Sequence, residues 1–476
     1  MNQNPVRFGT DGWRAVMGED FTYENVRACA QAVAEHFTET QGQEKPLVVG
    51  YDTRFQSDEF ALAAARVLAG NGFYVQLADR PSPTPAISYR IVEQGAGGGL
   101  IVTSSHNPFR WNGIKIKPPY GGSASPEIVS DIERRVPAIL EDPARPKLAA
   151  PDSDMITRFN PNLGYLRNLS QQVDIERIRG AGLRIAVDPM YGTGVGLLTK
   201  LLEGGNTQIE EIHTEHNPLF PDLRAPEPIA SNLDELLETV RNGHFNAGFA
   251  NDGDADRVGV IDETGTYIDS LRTFALLIQY LLGARGLKGA VVKSVTTTAM
   301  ARLLSEHHGV PCIETPVGFK HIGPAMIRED ALIGGEESGG FGFRGHLPER
   351  DGILSVLYLL DAMALSGKSL SELLEDVFAI TGPHFYERMD LDLQKGANET
   401  VKAALDATSP KDFAGIPVTG LDTTDGWRFL LSEGWILFRL SGTEPLLRIY
   451  TELRDESKVG PIMEAGQGLV SNALNR

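Results

Sequence analysis

The sequence predicts an α/β protein: three consecutive mixed α/β domains with similar βαβ-type cores, followed by a smaller C-terminal α+β domain. Three observations carry this expectation. A length of 476 residues is enough for roughly three or four domains at ~100–200 residues each. Three stretches repeat one pattern of apolar strand, turn rich in Gly or Ser, and amphipathic helix, as βαβ units and mostly parallel sheets require. The last hundred or so residues change to successive strands separated by short turns.

In the first stretch, Leu47-Val48-Val49-Gly50-Tyr51-Asp52 leads into a helix over about 57–69, and Leu100-Ile101-Val102 runs into Thr103-Ser104-Ser105-His106-Asn107-Pro108. In the second, Leu183-Arg184-Ile185-Ala186-Val187-Asp188 precedes a helix near 194–202, and Ala247-Gly248-Phe249-Ala250 runs into Asp252-Gly253-Asp254-Ala255-Asp256-Arg257. In the third, Ala290-Val291-Val292-Lys293 precedes a helix near 297–307, and Leu332-Ile333-Gly334 runs into Gly335-Glu336-Glu337-Ser338-Gly339-Gly340. Apolar strands ending in such loops fit ligands that bind at the carboxyl ends of strands. The last part reads as strands at 427–431, 435–440 and 446–453, then a helix over 456–473. Pro- and Asp-rich stretches at 141–151 and 381–384 read as linkers. With a further boundary within 262–273, the domains are expected at 1–150, 151–262, 263–380 and 381–476.

Composition bounds the function. Hydrophobic content of 41% and charged content of 22% are ordinary for a soluble globular protein. The longest apolar run, 353–365, is interrupted by Asp361 and falls short of the ~18 residues of a membrane helix, so it reads as a buried helix. The N-terminus shows no basic region followed by an apolar stretch, so no secretory signal is expected. Cys29 and Cys312, the two cysteines, fit no metal or redox spacing and read as small buried hydrophobes of a reduced, cytoplasmic protein. A net charge of −19 argues against nucleic acid or anionic membrane as partner. It also repels anionic substrates at long range, so a phosphate site must gather its own Arg and Lys.

Two loops carry chemistry. Ser105 lies between a strand end and Asn107-Pro108, and proline's fixed φ, with its bias on the preceding residue, makes a rigid turn. A hydroxyl there can carry a phosphoryl group, with His106 and Asn107 able to hold its oxygens; an ordinary Ser/Asn-rich turn is the other reading of that segment alone. No Gly-x-Ser-x-Gly elbow supports a serine hydrolase. Asp252, Asp254 and Asp256 at alternate positions can converge on a hard divalent cation such as Mg2+. They could also form a solvated acidic loop. An EF-hand would place Glu263 at the twelfth loop position, but Arg257 stands where that loop needs Gly. An apolar strand leading into the loop favours the Mg2+ reading, with Arg257 directed at a phosphate. A phosphoserine would bring about −1.5 to −2 charge, which a metal neutralises while making the phosphoryl group electrophilic.

Five ordered motifs make the chain resemble the α-D-phosphohexomutase superfamily, the phosphoglucomutase/phosphomannomutase group. Phe8-Gly9-Thr10-Asp11-Gly12-Trp13-Arg14 is similar to the family's opening segment. Ser105 falls on its phosphorylated serine, and Asp252, Asp254 and Asp256 on its metal ligands. Gly335-Glu336-Glu337-Ser338-Gly339 resembles its sugar-recognition loop, and Arg439-Leu440-Ser441-Gly442-Thr443-Glu444-Pro445 its phosphate-binding loop. The resemblance implies four domains around a central cleft and interconversion of 1-phospho and 6-phospho sugars, foremost glucose 1-phosphate and glucose 6-phosphate. Phospho-Ser105 would donate to the sugar, giving glucose 1,6-bisphosphate as intermediate and activator, and then recover the other phosphate.

The resemblance further implies roles for Arg14 and His106 beside Ser105, and for Arg257. Phospho-Ser105 would join the three aspartates on Mg2+. Glu336 and Ser338 would bind sugar hydroxyls, and Arg439, Ser441, Gly442, Thr443 and Arg448 the phosphate that is not reacting. Lys115 and Lys293 match site lysines; cationic surroundings would favour a neutral amine able to act as acid or base. Gly318-Phe319-Lys320 resembles the glucose-phosphomutase branch, where that lysine faces substrate. One departure stands out: Gly340 replaces the histidine with which many relatives end the sugar loop. His346 and Arg350, slightly downstream in Gly345-His346-Leu347-Pro348-Glu349-Arg350-Asp351-Gly352, are expected as substrate-binding basic residues. Alternatives are a dual phosphoglucomutase/phosphomannomutase, a glucose 1,6-bisphosphate synthase, and a non-catalytic sugar-phosphate sensor. The intact Ser105, the three aspartates and Arg257 count against the sensor.

Overall fold

The computed structural model describes residues 4–394, 396–441 and 446–474. Its first sheet holds β1 (Trp13–Val16), β2 (Leu47–Tyr51), β3 (Val75–Ala78), β4 (Gly98–Val102), β5 (Trp111–Lys117) and β6 (Ile156–Phe159), in the order β1-β5-β4-β2-β3-β6. The second holds β7 (Arg184–Asp188), β8 (Gln208–Glu211), β9 (Ala247–Asn251), β10 (Val258–Ile261) and β11 (Tyr267–Ile268), ordered β11-β10-β9-β7-β8. The third holds β12 (Val291–Ser294), β13 (Cys312–Thr315), β14 (Ile333–Gly335) and β15 (Phe341–Phe343), ordered β13-β12-β14-β15.

One core recurs in all three. A central strand (β2, β7, β12) has parallel neighbours on both sides, and an antiparallel strand (β5, β10, β15) follows the third. The loop between that third strand and its antiparallel successor is, in turn, the Ser105 loop, the Asp252 loop and the Glu336 loop. Every residue of β2, β4 and β9 is buried, as expected where helices cover both faces of a parallel sheet. The helix Ser57–Gly70 supplies one cover, burying Phe60, Ala61, Ala64, Ala65, Val67 and Leu68; its alanines let it lie close to the strands.

The sheets run past two expected boundaries. β6 lies beyond residue 150 yet pairs in parallel with β3, and β11 lies beyond residue 262 yet pairs with β10. The second and third units also share one continuous apolar core that includes Ile185, Phe249, Val291, Ile333 and Leu357. The 353–365 run forms the helix Gly352–Ser366, buried around most of its circumference and N-capped by Asp351. No single helix among the described residues is long and apolar enough to cross a membrane. Cys29 is buried as expected, whereas Cys312 is only half-buried.

The C-terminal sheet is antiparallel: β16 (Phe385–Asp392), β17 (Asp412–Phe413), β18 (Ile416–Asp422), β19 (Trp427–Leu431), β20 (Gly434–Leu440) and β21 (Leu446–Leu453), ordered β16-β21-β20-β19-β18-β17. Helices Asn398–Asp406 and Glu456–Leu474 pack with it around Val401, Leu405, Phe429, Ile436, Phe438 and Ile462. It meets the third unit through Val295, Trp435, Leu437 and Tyr450.

Candidate active site

Ser105 sits in the turn after β4 with φ of +50°, a left-handed backbone that non-glycine residues rarely adopt and that must be held by its surroundings. Arg54, buried behind the turn, does much of the holding. Its guanidinium donates to the carbonyls of Ser105 at 2.6 Å, Asn107 at 2.6 Å, Pro108 at 3.0 Å and Trp111 at 3.1 Å. Asp52, at the end of β2, pairs with Arg54 at 3.2 Å and accepts from Thr103 at 2.6 Å; Thr103 Oγ1 in turn accepts from the Ser105 N–H at 2.9 Å.

The Ser105 hydroxyl donates to Asp252 Oδ2 at 2.8 Å and lies 3.2 Å from His106 Nδ1. Gly253 makes this meeting of loops possible: a Cβ there would stand 2.7 Å from the Ser105 carbonyl oxygen. Burial, then the nearby cations Arg257 and Arg14, holds His106 well below its ordinary pKa, so its imidazole is neutral near pH 7. Arg14 donates to Asn107 Oδ1 at 2.7 Å, and Arg257 to Glu227 Oε1 at 3.2 Å.

Asp252, Asp254 and Asp256 are fully buried and offer carboxylate oxygens within 4.8 Å of one another. Asp254 Oδ1 and Asp256 Oδ1 are buried without a hydrogen-bond partner. Burial, with the two neighbouring carboxylates, pushes Asp252 well above its ordinary pKa. Crowded, partly orphaned oxygens of this kind fit a hard divalent cation such as Mg2+.

The structure corrects the expected state of Lys115. Its ammonium lies 2.8 Å from Asp254, 2.7 Å from Asp256 and 3.0 Å from Asp11. Burial disfavours its charge, but those three carboxylates prevail and raise its pKa. Its surroundings are anionic, so it is a fixed cation and not a neutral amine. The Lys293 amine contacts Glu314 at 3.1 Å and the Ser294 and Thr297 carbonyls.

The third loop reaches the same centre through Arg350. That guanidinium lies 3.0 Å from Asp256 Oδ2, 3.5 Å from Glu336 Oε2 and 3.4 Å from Glu349 Oε1, and donates to Asp11 Oδ2. Its side chain is only 4% exposed, so the expectation of an open substrate ligand gives way to an internal tie. Burial, opposed by Arg350, raises the Glu336 carboxyl to about 7. Ser338 is half-buried in the same loop. His346 is corrected too: its ring nitrogens meet Asn168 Oδ1 at 2.6 Å and Asp351 Oδ2 at 2.8 Å with the side chain fully buried, so it braces the start of the helix Gly352–Ser366.

Lys320 lines a cavity of about 190 Å³ with Thr10, Asp11 and Ser123. In the fourth sheet, Arg439 pairs with Asp425 at 2.9 Å, and the same carboxylate oxygen accepts from the Val317 N–H at 2.9 Å. Arg448 stands opposite Arg439 on β21, 3.7 Å from Asp390. Ser441 is buried at the end of β20, its N–H donating to the Leu446 carbonyl; Gly442 and Thr443 lie outside the described residues.

Asp11, Asp52, Arg54, Thr84 and Glu227 were not singled out in the sequence. Asp11 stands inside the opening segment and Asp52 at a strand end, which are usable signals. Nothing adjacent in sequence marks Arg54, Thr84, which donates to Asp254 Oδ2, or Glu227.

Family models confirm the architecture. Those described as phosphoglucomutase/phosphomannomutase alpha/beta/alpha domains I, II and III match residues 5–142, 164–265 and 269–380, and the C-terminal domain of the same group matches 392–465. The chain is 31% identical to a phosphoglucomutase/phosphomannomutase of Thermococcus kodakarensis, covering 98% of this chain and 99% of that one. It is 30% identical to a phosphoglucosamine mutase of Desulforamulus reducens, covering 98% and 99% respectively. A crystal structure from Thermus thermophilus, described as a "putative phosphomannomutase", superposes with a TM-score of 0.86 at 35% identity, covering 98% of this chain and 99% of that one.

Proposed function

The chain belongs to the phosphoglucomutase/phosphomannomutase family and is thus a phosphohexomutase, and from that premise we propose that it interconverts glucose 1-phosphate and glucose 6-phosphate through phospho-Ser105. The observation that carries the reading is the Ser105 hydroxyl 2.8 Å from Asp252, inside a buried group of three aspartates. A sugar hydroxyl attacks phosphorus and gives up its proton, the bond from phosphorus to Ser105 Oγ breaks, and Oγ takes up a proton. Glucose 1,6-bisphosphate forms, turns over, and returns its other phosphoryl group by the reverse of the same steps; supplied from outside, it activates the enzyme.

Neutral His106, 3.2 Å from Oγ, is placed to take the Ser105 proton when Oγ accepts a phosphoryl group, and the imidazolium so formed can return it when the bond from phosphorus to Oγ breaks. Lys115 and Arg257 hold positive charge where phosphoryl oxygens pass. Mg2+ on Asp252, Asp254 and Asp256, when bound, withdraws charge from the phosphoryl group. Glu336 accepts hydrogen bonds from sugar hydroxyls with Ser338 assisting, Lys320 faces the substrate, and Arg439, Ser441, Gly442, Thr443 and Arg448 receive the phosphate that is not reacting.

Glucose is the preferred reading because Gly318-Phe319-Lys320 resembles the glucose-phosphomutase branch and Glu336-Glu337-Ser338 leans toward glucose phosphates over glucosamine phosphates. Relatives named phosphoglucosamine mutase give a second reading, an amino-sugar phosphate, and a dual glucose and mannose enzyme is the third. Coupled assays with the 1-phosphates of glucose, mannose and glucosamine separate them. The proposal expects the highest kcat/KM with glucose 1-phosphate; a higher value with glucosamine 1-phosphate overturns the glucose preference.

A further inference from the structure

Gly340 and Arg350 compete for one volume. A Cβ on Gly340 would stand 2.3 Å from Arg350 Cδ and 2.7 Å from its Cγ, far inside van der Waals contact. The stem of Arg350 therefore fills the space that a side chain at 340 would need. The guanidinium it delivers touches Asp11 of the opening segment, Asp256 of the metal loop and Glu336 of the sugar loop. It also lies 5.6 Å from the ring centre of Phe319, next to Lys320. Four segments from three domains meet on one side chain. An arginine suits this junction because its planar fork can serve several carboxylates at once, whereas an ammonium is a single point charge.

We infer that Arg350 is a positioning residue that holds Glu336 of the sugar loop in register with Asp256 of the metal loop, and that position 340 is glycine to admit its stem. This rests on the reading of Glu336 as a sugar-binding carboxylate. Here a permanent cation, threaded from ten residues downstream, occupies the space that a side chain at 340 would need. The sugar's position and the acidic centre are thereby tied by one rigid group, and a bulge at 340 disturbs sugar binding by pushing Arg350, without removing any charge.

A double-mutant cycle on the full-length protein, stripped of metal by chelation, tests the tie, with glucose 6-phosphate binding measured by calorimetry and the melting temperature read in parallel. Gly340→Ala should weaken binding roughly tenfold, the scale of losing a charge-assisted hydrogen bond. On an Arg350→Ala background the same Gly340→Ala change should alter affinity by less than about twofold, because the obstructed stem is gone. Should Arg350→Ala not fold, Arg350→Lys takes its place in the cycle, with an intermediate coupling expected. Unchanged affinity in Gly340→Ala, an equal loss in both backgrounds, or a fall in melting temperature alone overturns the inference. Glu336→Gln is the control: wild-type affinity there overturns the sugar-loop reading itself, whereas lost affinity there with an additive cycle overturns only the role of Arg350.

Discussion

Two regions of this molecule are proposed to meet phosphate, and they are built differently. Around Ser105 the groups are enclosed and prearranged. The backbone is held at positive φ, Arg54 gathers four carbonyls behind it, and Asp252, Asp254 and Asp256 are fully buried. In the fourth sheet, Arg439 and Arg448 are partly exposed and rest on Asp425 and Asp390. That sheet joins the third unit through a small apolar cluster and the Arg428–Glu314 pair, which Lys293 also joins. The contrast teaches where rigidity is needed. Phosphoryl transfer depends on charges fixed before the reaction, while the second phosphate need only be held, and released when the intermediate turns.

Removing the carrier gives the largest effect. Ser105→Ala should reduce turnover to background even with added glucose 1,6-bisphosphate, in a coupled mutase assay. Next, Asp254→Ala should lower activity by orders of magnitude and weaken the Mg2+ dependence, with the circular dichroism melt showing that the fold persists. A variant that unfolds instead would assign the aspartates to structure, and activity that survives thorough chelation would remove the metal from the mechanism.

A smaller and different effect belongs to the fourth domain. Arg439→Ala should raise KM roughly ten- to a hundredfold, the loss of a charge-assisted hydrogen bond worth ~1.5–3 kcal/mol. Free bisphosphate released per turnover should increase, while phosphorylation of Ser105 by an independent donor changes little. If KM and release both match wild type, the two regions do not divide the work as stated.

The smallest effect lies in the sugar loop. Burial raises Glu336 to about 7 despite the opposing charge of Arg350. Below that pH the carboxyl is protonated and accepts hydroxyl hydrogen bonds poorly; above it the carboxylate accepts them well. KM should fall severalfold as pH rises across about one unit either side of 7. The substrate phosphate titrates near pH 6 and contributes equally to Glu336→Gln, so the difference between the two profiles isolates Glu336.

Much of this was legible in the sequence because strand and loop are adjacent there. The runs before Ser105, Asp252 and Glu336 all became third strands of the repeated core. What stayed hidden depends on partners distant in the chain. Lys115 was expected neutral because its anionic neighbours arrive from two separate segments, Asp11 from the opening segment and Asp254 and Asp256 from the metal loop. His346 and Arg350 lie in one short motif, yet one braces a helix and the other crosses to two neighbouring domains. Strand β6 was missed because Ile156–Phe159 is short, lies beyond a Pro-rich linker and is only partly buried, so no alternation marks it.

The central claim, that Ser105 carries the phosphoryl group, is tested most directly by peptide mass spectrometry after incubation with glucose 1,6-bisphosphate and Mg2+, followed by a chase with glucose 6-phosphate. One phosphoryl group should appear on the peptide containing Ser105 and leave it on the chase, with none on the Ser105→Ala protein. Phosphate on another residue, or full turnover with Ser105 never modified, would contradict it.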